Sequence, residues 1–429
     1  MAFLQIESTN PNFTYILKKN PASGMLVKPN RKGRLFAWYS NPAVFNIYFR
    51  DSDMEVSYSG EDFEYMDVTR YNTPMFLINA FGEFLNHMKK VDDKDIVGYE
   101  NVLRINQVRC KPNSLDRFKS HFMSLGYDFK FDEVAYRNYR IEIKTNNTIR
   151  ELVNLGQLLS IFNSLLNNDL EHVSDDDIDK YIACLKVIDS PYYIRHLFKL
   201  YFLKTEKLFK KYKALIEKSE KDKIEFEFGS TIVQRISAIK KRLDFNSGII
   251  DIGCGTGEYV REFAPKLGDG LEYHAIDIVP ERLEAVRRLC NRKEILNVSV
   301  WSSVDEFISG GVVNNANIIM TEVVEHMTKD NATALINKVL GWQFKSLIIT
   351  TPNKTFNSNY QLLDEDMRHD DHVFEITKEE FGKWIEELVV EFLKSTNGKV
   401  DGFHIKFFDI GDNVNGLRPT SAAIIERKE

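Results

Sequence analysis

The sequence predicts an α/β chain in two parts: a doubly wound, mainly parallel sheet over residues 226–429, preceded by an α+β and helical region over residues 1–225. Three observations carry this. From Ser230 onward short apolar runs alternate with stretches of helical periodicity, the pattern of parallel strands joined by crossover helices. Before that, alternating strand-like runs give way near Asn147 to helical spacing alone. The length of 429 residues also exceeds what one hydrophobic core commonly organises.

In the first part, Leu35–Tyr39 and Val44–Arg50 read as strands by their aromatic and β-branched content. Tyr71–Lys89 reads as a helix with Thr73 at its N-cap and Pro74 at its first turn. Ser114–Leu125 is a second helix, stopped by Gly126, and Tyr136–Ile143 is a further alternating strand. Beyond Asn147, Leu152, Leu155, Leu158, Leu159, Phe162, Leu165 and Leu166 fall at helical spacing. Ser174 before three aspartates reads as an N-cap whose acids suit the helix dipole. Arg195–Lys213 carries seven basic residues and one acid between Phe198, Tyr201, Phe202 and Phe209. That spacing predicts either a helix with a core stripe and a solvated basic face, or a surface that meets RNA phosphates. The polar run Lys218–Lys223 is a candidate linker.

The overall charge, 57 Lys+Arg against 63 Asp+Glu for a net −6, excludes binding of a polyanion by bulk charge, so any such role must rest on local features. A hydrophobic content of 43% with 12% aromatics excludes a disordered chain. Cys110, Cys184, Cys254 and Cys290 lie far apart without disulfide or CxxC spacing, which predicts a reducing, cytoplasmic setting. No apolar run approaches the ~20 residues of a membrane span, and the first six residues lack a basic leader, so no membrane partner is expected.

In the second part, a helix (Thr231–Leu243) precedes a strand (Gly248–Ile252), a glycine-rich turn and a helix (Gly257–Leu267). A strand (Glu272–Ile276) then ends in Asp277 and leads into a helix (Pro280–Cys290). Further strands are Val298–Trp301, Ile318–Thr321 and Ser346–Thr350. In Asp251-Ile252-Gly253-Cys254-Gly255-Thr256-Gly257, glycines let the backbone approach a ligand closely at a strand end. Asp277 follows about twenty residues later, where a carboxylate that chelates a ribose diol belongs. The pattern resembles the class I, Rossmann-like methyltransferases. That resemblance implies S-adenosylmethionine as cofactor, contacted by Asp251, Gly253, Gly255, Gly257, Asp277, Ser302 and Thr321.

Thr321-Glu322-Val323-Val324-Glu325-His326 follows directly on a strand at this same edge. Two carboxylates and an imidazole are costly to bury unpaired, so a divalent metal is their natural partner, and on a helical turn positions 322, 325 and 326 share one face. Arg368-His369-Asp370-Asp371-His372-Val373-Phe374-Glu375 adds a further imidazole and a guanidinium, and between the two segments Thr351–Asn357 follows the next strand.

These three segments together resemble the signature segments of the RNA 3′-terminal-nucleotide 2′-O-methyltransferases of the HEN family, over Ser230–Lys428 and including Gln234-Arg235. The resemblance implies Glu322, Glu325, His326 and His372 as ligands of Mn²⁺ or Mg²⁺; two imidazoles favour Mn²⁺. It also implies His326 or His372 as a catalytic proton acceptor, and Arg235, Asn353 and Arg368 at the RNA 3′ end. Asn12–Pro21, Phe122–Phe129 and Leu165–Ile182 resemble the bacterial, RNA-repair branch. This implies a polynucleotide kinase–phosphatase–ligase as partner, activated by the first part, in the repair of cleaved RNA such as tRNA. Two other functions compete: a metal-dependent methyltransferase of a small vicinal diol, and a subunit that mainly activates a ligase. With every named ligand after Ser230, residues 228–429 alone are expected to fold and methylate RNA.

Overall fold

The computed structural model describes residues 2–30, 33–51, 74–110, 112–123, 125–167, 175–310, 315–360, 362, 366–396 and 402–427. Two units divide the chain, Met1–Lys221 and Asp222–Glu429.

The first unit is built on strands β1 (Ala2–Ser8), β2 (Leu26–Asn30), β3 (Gly33–Asn41), β4 (Val44–Asp51), β5 (Asn101–Arg109), β6 (Tyr127–Ala135) and β7 (Asn138–Thr145). They form one antiparallel sheet in the order β2-β3-β4-β1-β5-β7-β6. Alternation sets its buried face: in β7, Tyr139, Ile141, Ile143 and Thr145 point inward. Helices α1 (Phe13–Ile16), α2 (Pro74–Leu85), α3 (Pro112–Met123), α4 (Ile149–Asn167), α5 (Asp175–Val187), α6 (Tyr192–Phe202) and α7 (Glu206–Glu217) complete it. α4 packs on β5 and against α2, α3 and α5. Its first turn is capped by Asp95, which accepts the amides of Ile149 at 2.8 Å and Arg150 at 2.9 Å.

The predicted strands Leu35–Tyr39 and Val44–Arg50 lie inside β3 and β4, and Tyr136–Ile143 is shifted by two residues in β7. The N-caps expected at Thr73 and Ser174 lie outside the described residues. Arg195–Lys213 is two helices, not one. α6 ends near Leu203, and the Thr205 side chain opens α7 by accepting the Leu208 amide. Arg195 and Lys199 are buried, so neither belongs to a solvated basic face. The Arg195 guanidinium donates to the carbonyls of Ser190 (2.6 Å), Ile216 and Lys218 (both 3.0 Å) and pairs with Asp189 at 2.8 Å. It thereby satisfies the last carbonyls of α7. Lys204, Lys207, Lys210 and Lys211 are the exposed bases of this region.

The second unit contains β8 (Ile224–Glu225), α8 (Thr231–Lys240), β9 (Ile249–Ile252), α9 (Glu258–Phe263), β10 (Tyr273–Ile276), α10 (Pro280–Lys293), β11 (Val298–Trp301) and α11 (Val304–Gly310). It continues with β12 (Ala316–Thr321), α12 (Lys329–Leu340), β13 (Phe344–Pro352), α13 (Lys378–Ser395), β14 (Phe403–Ile410), β15 (Asn413–Val414) and β16 (Thr420–Arg427). The main sheet runs β11-β10-β9-β12-β13-β16-β14. Its first five strands are parallel, and β16 and β14 are antiparallel additions. Both faces are covered. Ile250, Ile252, Ile318 and Met320 pack with side chains of α11, α12 and α13, whereas Ile249 and Ile319 pack with those of α8, α9 and α10. The chain winds outward from β9 to β11 and returns to β12, so the switch point lies between β9 and β12, where such sheets bind their ligands. Among the described residues no helix is long and apolar enough to cross a membrane.

The segment after Lys221 belongs with this unit: β8 pairs with β15, Phe226 is buried, and the Glu227 amide donates to Asp412 at 2.9 Å. Ile224–Glu225, read from sequence as the end of the first part, therefore lie in the second sheet system, and a cut at 228 removes packed residues. A fragment 222–429 is expected to be more stable than 228–429 by roughly 3–5 kcal/mol from the Phe226 ring alone. Denaturant unfolding of the two measures this, and equal midpoints would show that the segment contributes nothing.

Candidate active site

The carboxyl ends of four adjacent strands, β11, β10, β9 and β12, carry Ser302, Asp277, Asp251 with the glycine turn, and Thr321. Gly253 sits where the chain passes the 321–326 turn: a Cβ there would lie 2.4 Å from the Val323 side chain, and its φ is +78°. Gly255, with φ +55°, has only the Glu258 carboxylate within 4 Å of its would-be Cβ, so this side of the turn is open to a ligand. The turn is held by Ile276, whose carbonyl accepts the amides of Gly253 (2.8 Å) and Cys254 (3.0 Å). Asp277 is buried and oriented by the Gly255 amide at 3.0 Å and the Val279 amide at 2.9 Å. Ser302 is exposed; its amide and hydroxyl both donate to Glu306, at 2.6 and 2.5 Å.

Asp251 is fully buried. One carboxylate oxygen accepts the Tyr273 hydroxyl at 2.7 Å, and the other has no partner among the described residues. Burial, only partly opposed by Tyr273, pushes its carboxyl up to about 7.

On the other side of the switch point, Val324–His326 form one 3-10 turn. Glu325 within it is buried, and its carbonyl accepts the amides of Val373 (2.7 Å) and Phe374 (3.4 Å), which clasps the two signature segments together. Glu325, His326 and His372 thereby bring ligand atoms within 4.8 Å of one another. Glu322 does not share their face. Its backbone is left-handed (φ +52°), and its carboxylate accepts from Thr350 at 2.8 Å and pairs with Arg235 at 2.5 Å. The shared helical face read from the spacing of 322, 325 and 326 is thus replaced by a turn that begins only at Val324, with Glu322 drawn to the cation on α8. One Glu325 oxygen accepts the Thr351 hydroxyl at 3.3 Å, and the other is buried without a partner among the described residues. Burial, reinforced by Glu322, raises this carboxyl well above its ordinary range. A buried, orphaned carboxylate oxygen beside two imidazoles fits a divalent cation of the Mn²⁺ type.

Both imidazoles are oriented through Nδ1. That of His372 lies 2.6 Å from Glu375, and that of His326 lies 3.2 Å from the Asp371 carbonyl and 3.3 Å from its carboxylate. Nε2 is the nitrogen left to each ring. Burial works to raise the Glu375 carboxyl, but the Arg368 amide, Asn357 and His372 outweigh it and hold the group below its usual range.

The three residues expected at the RNA end are engaged with protein atoms. Arg235 pairs with Glu322. Asn353 is buried, donating to the Arg418 carbonyl at 3.0 Å and accepting the Thr355 amide at 3.2 Å. Arg368 donates to the Asn357 side chain (2.6 Å) and to the carbonyls of Pro419 (2.6 Å) and Asn353 (2.5 Å). Asn353 and Arg368 thus brace the loops around the site. The reading of the sequence missed Glu375 and Asn357; the signal available was the three-residue spacing from His372 to Glu375.

Comparison with known proteins gives consistent matches. The family model of the Hen1 N-terminal domain matches residues 3–221, and a methyltransferase domain model matches 250–341. A small RNA 2′-O-methyltransferase of Caenorhabditis elegans is 38% identical over 76 residues, 18% of this chain and 17% of that protein. One of Arabidopsis thaliana is 27% identical over 202 residues, 42% of this chain and 20% of that protein. The matched region thus spans a fifth or less of these curated relatives. A chain in a solved structure of the Pnkp1/Rnl/Hen1 RNA repair complex superposes with a TM-score of 0.80 at 26% identity, covering 99% of this chain and 100% of that one.

Proposed function

The chain belongs to the Hen1 family, and from that premise we propose that it transfers the methyl group of S-adenosylmethionine to the 2′-hydroxyl of the 3′-terminal nucleotide of RNA. The observation that carries the reading is the Glu325–His326–His372 cluster beside an open glycine turn at the switch point. S-Adenosylmethionine would supply an electrophilic methyl group, and a Mn²⁺ or Mg²⁺ held by Glu325, His326 and His372 would lower the pKa of the ribose hydroxyl.

The chain's own residues do the rest. Asp277, fixed by the Gly255 and Val279 amides, holds the cofactor ribose. Glu325, His326 and His372 would hold the cation, with Glu322 a fourth ligand only if it exchanged Arg235 for the ion. Of the two imidazoles His326 is the more exposed, 37% of its side chain against 3% for His372, so it is the one that would take the proton and pass it to water in a state where its Nε2 is free of the cation. The partners are the kinase–phosphatase and ligase components of an RNA repair assembly, on the likeness to the repair-complex chain. The absence of disulfide spacing among Cys110, Cys184, Cys254 and Cys290 supports a cytoplasmic site of action.

Labelled-methyl transfer to RNA ending in 2′-OH or 2′-H, with and without Mn²⁺, tests the reading. Transfer is expected only to the 2′-OH end and only with metal; methylation of the 2′-H RNA, or of a catechol in preference to RNA, would overturn it. A full-length chain that neither binds nor stimulates the ligase would remove the partner assignment. Asp277→Ala is expected to weaken cofactor binding by about 1–3 kcal/mol, read by calorimetric titration. Unchanged affinity would exclude Asp277 from the ribose site.

A further inference from the structure

We propose that Glu375, Asn357 and Arg368 are positioning residues that together fix the His372 imidazole for a divalent cation, so that Arg368 acts on the metal site and not on the RNA end. The inference rests on the metal-dependent reading above and concerns groups that do not touch the cation themselves.

The Glu375 side chain is 1% exposed. One of its oxygens accepts the Arg368 amide at 2.8 Å and lies 2.6 Å from His372 Nδ1; the other accepts the Asn357 amide group at 2.6 Å. An ionised carboxylate can only accept. His372 Nδ1 must therefore carry the proton, and in the neutral ring the lone pair is left on Nε2, the form a metal takes. Asn357 has one orientation compatible with its neighbours: NH₂ toward Glu375, carbonyl oxygen toward Arg368 Nε at 2.6 Å. Arg368 is in turn anchored on the sheet, because its remaining bonds go to Asn353, just after β13, and Pro419, just before β16. Three of the five donors of its fork are committed to protein oxygens, and the guanidinium lies 5.4 Å from the centre of the Tyr360 ring. The orientation of His372 is thus set by a chain of short bonds that ends on the backbone next to β13 and β16. His326 has no such support: its carboxylate neighbour, Asp371, is 65% exposed.

The test is Mn²⁺ binding to the full-length protein, without RNA or cofactor, followed by the electron paramagnetic resonance signal of free Mn²⁺. Glu375→Gln and Arg368→Gln are each expected to weaken binding about 10–100-fold. At saturating Mn²⁺ the KM for RNA should stay within about twofold of wild type. Arg368→Gln with unchanged Mn²⁺ affinity and a raised KM for RNA would overturn the proposal in favour of an RNA contact. Should Arg368→Gln lose its cooperative unfolding transition, the isosteric Glu375→Gln decides alone, and unchanged Mn²⁺ affinity in that variant overturns the proposal. His372→Ala separates the two levels. If it loses Mn²⁺ while the other variants do not, only the positioning role fails; if wild type itself binds no Mn²⁺, the metal-dependent reading falls with it.

Discussion

Glu325→Gln abolishes methyl transfer to RNA, with an expected loss on the order of 10²–10³-fold in turnover at saturating Mn²⁺. The substitution keeps the volume of a fully buried side chain and can still accept from Thr351, so packing is undisturbed. What it removes is the negative charge on the oxygen that has no partner among the described residues, the atom best placed to meet a cation beside His326 and His372. Cofactor affinity is expected to stay close to wild type, because the glycine turn and Asp277 are held by other groups. Turnover above a tenth of wild type, with normal cofactor binding, would remove Glu325 from the ligand set.

Asp251→Asn is expected to change stability in a pH-dependent way. In the folded chain this carboxyl titrates near 7, against 3.8 for an ordinary aspartate, because it is fully buried. The folded state therefore holds the proton more tightly than the unfolded state. Its favourable contribution is complete below the unfolded value, shrinks as pH rises, and is gone once pH passes the folded value. A shift of this size corresponds to about 4 kcal/mol at most. Without cofactor, wild type should lose stability relative to Asp251→Asn between pH 5 and pH 8, the variant being the more stable at pH 8 by roughly 2–4 kcal/mol. Urea midpoints at the two pH values measure the difference, and parallel behaviour of the two proteins would show that Asp251 ionises without penalty. A carboxylate kept at such a cost beneath the glycine turn points to function rather than folding.

The parallel half of the second sheet was legible because its strands are short and mostly apolar, with Gly253 following β9 and Asp277 following β10: Val298–Trp301 coincides with β11, and Gly248–Ile252 and Glu272–Ile276 each exceed the strand by one residue. β14 and β16 were not read. In β16, Thr420–Ile425 are all buried, so the alternation that marks an antiparallel strand is absent. That omission hid one partner of Arg368: the carbonyl that accepts from its guanidinium belongs to Pro419, at the mouth of an unrecognised strand. Glu325 and His326 stood out because two acids and an imidazole follow directly on a strand, whereas His372 lies in a loop and entered the expected ligand set only through the family resemblance. The shared face expected of Glu322, Glu325 and His326 was misread because the partner of Glu322, Arg235, lies on a helix far earlier in the chain, and no local spacing reports such a pair.

The clasp between the Glu325 carbonyl and the Val373 and Phe374 amides is made of main-chain atoms only. It is therefore blind to side-chain identity. In a saturation mutagenesis screen position 373, half of whose side chain faces solvent, should tolerate nearly every residue except proline, which deletes the N–H. Sequence drift there would leave the two halves of the site in register, so this stretch can diverge among relatives while the geometry it secures does not.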